Sequence, residues 1–102
     1  MNKKIKEKID KIQKLIAKEL EPEKIILFGS LAKKMPKTGY DIDIFIYKGR
    51  ILSHREERKL KERVEELAGI YSVDLIFSDR VEKDFQKMIE DMGVVLYEKS
   101  RG

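Results

Sequence analysis

A chain of 102 residues, 41% apolar and 41% charged, has room for one compact core and is expected to form a single domain over residues 1–102. It has no apolar run near the roughly 18 residues of a membrane span, no signal-peptide stretch and no cysteine. These absences exclude a disulfide framework, a thiolate nucleophile and a Cys-based zinc site, and point to a soluble cytoplasmic protein. The net charge of +4 is spread through interleaved Lys and Glu. Only residues 3–18, with seven lysines against Glu7 and Asp10, are markedly basic, so nucleic acid is not the expected partner.

Ile5, Ile9, Ile12 and Ile16 recur at helical spacing, with Leu15 and Leu20 widening the stripe, and predict an amphipathic helix over about residues 2–20. Glu21-Pro22 ends it, because a residue before proline is pushed out of the helical region. Lys24 to Phe28 is a short isoleucine-rich strand, broken by Gly29-Ser30. Residues 31–40 contain Pro36 and Gly39 and read mainly as a loop. Asp41 to Tyr47 alternates strictly, with Ile42, Ile44 and Ile46 on one face and Asp41, Asp43, Phe45 and Tyr47 on the other.

Ser53 with Glu56 forms a capping-box pattern opening a second helix, whose apolar side is Leu60, Val64 and Leu67 and whose stop is Gly69. His54, the single histidine, follows that cap and reads as exposed. Tyr71 to Phe77 is a third strand. Asp79 and Glu82 repeat the capping pattern before a third helix, with Val81, Phe85, Met88 and Met92 on its apolar face. The four methionines read as core packing. Gly93 ends the helix, and Val94 to Tyr97 is a last strand. The order predicts an α/β (α+β) fold, a mixed sheet flanked by helices.

Asp41 and Asp43 carry the chemistry. At i and i+2 on a strand they share a face about 7 Å apart, where two like charges repel by roughly 2 kcal/mol at an effective dielectric of 20. A hard divalent cation such as Mg²⁺ offsets that repulsion and prefers carboxylate oxygens. Asp74, mid-strand between Val73 and Leu75, completes a triad if its strand lies beside Asp41 to Tyr47. Three carboxylates around one or two ions suit in-line displacement at phosphate. Gly29 lets backbone approach a phosphate, and Ser30 can donate to its oxygens. Lys33 and Lys34 are near enough in sequence to add positive charge. Taken singly, each feature also has an ordinary reading: exposed strand acids, a turn and loop lysines.

As an ordered set, Gly29-Ser30 followed after ten residues by Asp41-Ile42-Asp43 resembles the signature of the nucleotidyltransferase superfamily that includes DNA polymerase beta. The segment ILFGSLAKKMPKTGYDIDIFI is similar to its minimal nucleotidyltransferase branch, and VDLI around Asp74 matches the strand of the third family acid. The resemblance covers nearly the whole chain. It implies the nucleotidyltransferase fold, with Asp41, Asp43 and Asp74 as catalytic and metal-binding acids and Gly29, Ser30 and Lys33 at the nucleotide. It implies Mg²⁺-dependent transfer of AMP from ATP. It also implies the antitoxin of a HEPN-type toxin, modifying a partner tyrosine. Leu31-Ala32-Lys33-Lys34 and Tyr40 depart from the family pattern, since Lys lacks the bidentate fork of Arg and Leu31 donates no hydrogen bond. The alternatives are therefore a catalytically weak module that neutralises its partner by binding, or a transferase for a small-molecule hydroxyl. In a chain this short, a partner or a second copy would have to form much of the acceptor site.

Overall fold

The computed structural model describes residues 3–29 and 41–100. Helix α1 spans Lys3–Leu20, strand β1 Lys24–Phe28, β2 Asp41–Tyr47, α2 His54–Ala68, β3 Ser72–Phe77, α3 Lys83–Met92 and β4 Val94–Glu98, with a 3₁₀ turn at Ser78–Arg80. The sheet has the order β3-β2-β1-β4. β1 runs antiparallel to β2 and to β4, whereas β2 and β3 are parallel and joined through α2. A parallel pair needs such a crossover, since no tight turn can return the chain to the same end of the sheet.

One face of the sheet carries most of the core. Ile5, Ile9, Ile12, Ile16 and Leu20 of α1 pack with Leu60, Val64 and Ala68 of α2 against Ile25, Leu27, Ile42, Ile44 and Ile46. Each such Ile, Leu or Val side chain contributes roughly 1.5–3 kcal/mol when fully withdrawn from water. Among the described residues the opposite face buries Ile26, Phe45 and Ile89, the last from α3. The alternation of β2 therefore sorts as expected, with isoleucines into the main core and Asp41, Asp43, Phe45 and Tyr47 away from it.

Local chemistry explains the ends of the elements. α1 stops at Glu21, which turns left-handed (φ 46°) while its N–H still reaches Ala17 O at 3.1 Å. The proline-imposed stop thus takes the form of a left-handed cap. α2 opens with a complete capping box: Ser53 Oγ accepts from Glu56 N, and Glu56 Oε1 accepts from Ser53 N at 3.0 Å. His54, its first residue, is exposed.

The third helix departs from the sequence reading. The 3₁₀ turn absorbs Asp79, and Glu82 at the N-cap makes no side-chain capping bond. Instead Gln86 Nε2 donates back to Ser78 O at 2.7 Å and to Val81 O at 3.2 Å. Ile89 is the residue α3 buries; Phe85, Met88 and Met92 remain 38%, 47% and 51% exposed. Met88 and Met92 are therefore not core methionines. A ten-residue helix crossing a narrow sheet can press only part of its apolar stripe onto it. Gly93 follows because a Cβ there would strike Ile26 Cγ2 and approach Leu27 O to 2.9 Å. Among the described residues no helix is long and apolar enough to cross a membrane.

Candidate active site

The less covered face of β2 presents Asp41 and Asp43, and the parallel pairing with β3 sets Asp43 directly opposite Asp74. Neighbouring strands lie about 4.8 Å apart, so these two acids are side by side on one face. Asp41 is one pleat further along and faces Ser72 instead. Asp41 and Asp74 are exposed, and Asp43 is half-buried. The fold thus brings Asp74 to Asp43 rather than midway between two acids. Among the described residues no group of three or more His, Cys, Asp or Glu side chains is gathered closely enough to hold a metal ion unaided.

On the other side of Asp43 lies the end of β1, where Phe28 pairs with Asp43 in antiparallel register. Gly29 follows with φ 77°, a conformation that L side chains rarely adopt. A Cβ at residue 29 would collide with Asp43 Oδ2 and lie 3.2 Å from Asp43 Cγ. Asp43 is therefore the centre of the constellation, with the Gly29 backbone on one flank and Asp74 on the other. Missing side-chain bulk at Gly29 leaves backbone and carboxylate in close approach, which suits a phosphate and a hard cation with oxygen ligands. Ser30 and Lys33, with Leu31, Ala32, Lys34 and Tyr40, lie outside the described residues.

The chain matches the model of the family described as polymerase beta, nucleotidyltransferase, over residues 10–102. It belongs to that family. No curated protein matches it significantly. Among solved structures, the nucleotidyltransferase domain is similar to a toxin–antitoxin crystallised with AMP-PNP, with a TM-score of 0.71 and 23% identity over 90% of this chain and 74% of the other. It is also similar to the toxin–antitoxin MntA-HepT, with a TM-score of 0.65 and 22% identity over 92% of this chain and 73% of that one. A structure from Shewanella oneidensis has the same TM-score and 22% identity, covering 97% of this chain and 74% of its own. At these identities the likeness is one of fold.

A sizeable cavity lies elsewhere. It measures about 630 Å³ and opens where β2 and β3 end, past Tyr47 and Phe77. The sequence reading missed it. Lys48-Gly49-Arg50 and Ser78-Asp79-Arg80 follow β2 and β3 in the sequence, but only the parallel pairing of those strands brings them to one end of the sheet.

Proposed function

We propose that this nucleotidyltransferase domain is the antitoxin of a HEPN-type toxin and transfers AMP from ATP to a tyrosine of that partner. The observation that carries the reading is Asp43 held between Gly29 and Asp74. The fold-level likeness to toxin–antitoxin structures, one of them with AMP-PNP, supports the choice of partner and nucleotide. Asp41 and Asp43 would hold Mg²⁺, as one or two ions, with remaining coordination positions left to water and triphosphate oxygens. Magnesium sites at nucleotides are commonly built from one or two carboxylates plus substrate phosphates. The ion would neutralise charge on the triphosphate and its leaving group.

Gly29, Ser30 and Lys33 would hold the triphosphate. The acceptor oxygen forms a bond to the α-phosphorus while the bond to the bridging oxygen breaks and pyrophosphate leaves. Asp74, exposed beside Asp43, would take the hydroxyl proton. The compartment this chemistry requires is the ATP-rich cytoplasm, and the partner, or a second copy of the chain, completes the acceptor site. The test is labelled ATP with Mg²⁺ and the neighbouring toxin. Label is expected on a toxin tyrosine and is expected to vanish with Asp41→Asn and Asp43→Asn.

The departures at Leu31, Ala32, Lys33 and Lys34 favour a second reading, a module that neutralises mainly by binding. Toxin silenced equally well by the Asn variants, with no label transferred, would decide for it. Label on a small alcohol in the absence of a protein partner would instead indicate a small-molecule transferase.

A further inference from the structure

We infer that the cavity beyond the far ends of β2 and β3 is a second ligand site, built for a phosphate monoester carrying a planar ring, as in a nucleoside monophosphate. Tyr47 lies four residues along β2 from Asp43, which places this cavity about 13 Å from the carboxylates. Its volume of about 630 Å³ falls within the roughly 300–1,000 Å³ usual for small-molecule sites.

The described lining carries four cations, Lys48, Arg50, Arg80 and Lys83, against two carboxylates, Glu57 and Asp79. Glu57 pairs with Arg80 and, at 3.4 Å, with Lys61 from outside the lining, so the described lining keeps a net charge of plus two. The Arg80 guanidinium beside it holds the Glu57 carboxyl below the usual range, and it stays anionic. Arg50 Nη1 is fixed by Glu56 Oε2 at 3.1 Å, and Arg50 Nε donates to Glu19 O at 3.3 Å. Glu56 is itself locked in the α2 capping box. Two guanidinium groups are thus oriented in advance, with further N–H donors left to meet an anion, and little ordering cost remains on binding.

Lys48 supplies a second observation. It is one of two non-glycine residues with positive φ (52°) among those described, and its N–H donates to Ser78 Oγ at 2.9 Å, tying the two strand ends together. A strained lysine at a cavity rim persists because its surroundings impose it, and such strain concentrates at ligand sites. The walls suit a ring: Tyr47 and Phe77 present aromatic surface, and Ile51 at the mouth is 80% exposed. Lys48 Nζ and Arg80 Cζ stand 5.3 and 4.8 Å from the Tyr47 and Phe77 ring centres, putting positive charge beside each apolar wall.

The experiment is titration of the isotopically labelled full chain with AMP and with inorganic phosphate, without magnesium, followed by amide chemical shifts. Saturable shifts are expected at Lys48, Ser78, Arg80 and Lys83, with AMP binding more tightly than phosphate. Asp43→Asn should leave them unchanged, which separates this site from the proposed catalytic one. Lys48→Glu with Lys83→Glu should weaken AMP about tenfold or more while circular dichroism stays that of the folded chain. Should that pair disturb the fold, Lys83→Gln alone should still lower the affinity. Shifts confined to the Gly29 end, or none that saturate at millimolar ligand, would overturn the site. Equal affinity for phosphate and AMP would overturn the ring-bearing ligand.

Discussion

The two faces of the sheet are built to different standards of closure. Against α1 and α2, thirteen of the described side chains form a continuous buried cluster, several of them with no exposed surface. On the other face Ile26, Phe45 and Ile89 are the fully buried side chains among the described residues, α3 leaves much of its apolar stripe in water, and Asp41 and Asp74 are exposed. A sheet packed on one side can devote its other side to chemistry, because stability does not depend on covering it. Like-charged acids are tolerated there, where solvent and a cation can reach them.

Substitutions separate the two faces, and the largest effect belongs to the closed one. Ile12→Ala, at a site with no exposure, should lower unfolding free energy by about 2–5 kcal/mol in a denaturant titration. If the cost were under 1 kcal/mol on the order of a surface change, the one-sided core would be wrong.

Next comes Asp43→Asn on the open face. Nucleotidyl transfer should fall by about 100-fold or more, the order seen when a single preorganised electrostatic group is removed from an active site. Transfer left within a few-fold of the parent chain would remove Asp43 from the active site.

Ser53→Ala removes the cap of α2 and should cost about 1 kcal/mol, visible as a lower melting temperature with no change in nucleotide binding. Acid has a related effect. The Arg80 hydrogen bond, with a smaller share from Lys61, lowers the Glu57 pKa from its ordinary 4.5. A depressed folded-state pKa gives stability that is complete above the unfolded value and lost as pH falls through the folded one. Stability should therefore decline below about pH 4.5, and Glu57→Gln should flatten that decline. The smallest change is expected from Met88→Gln and Met92→Gln, within about 0.5 kcal/mol of the parent chain. A larger loss would place those side chains in a core they do not occupy here.

Local patterns made much of this legible. The isoleucine stripe of α1, the strict alternation of β2 and the Ser53–Glu56 box each involve residues within a few positions of one another, so short-range geometry sets their outcome. The assignment of Met88 and Met92 to a core failed for the opposite reason. A helical stripe states which residues share a face, and says nothing of how wide a surface will be offered to that face. Asp79 was similarly drawn into a 3₁₀ turn, since Gln86 reaches back to Ser78 and Val81 and closes the entry to α3 without a side-chain cap.

The amino-acid order alone determined the elements, the face on which each acid of β2 sits, and the spacing from Gly29-Ser30 to Asp41 that identifies the family. Only tertiary structure decided that β3 lies parallel beside β2 with Asp74 opposite Asp43, that Gly29 abuts the Asp43 carboxylate, and that four cations meet at the far ends of those strands. The division has a physical cause. Periodicity and capping are settled by interactions between near neighbours in the chain, whereas register and strand order depend on which distant segments bury the most surface together.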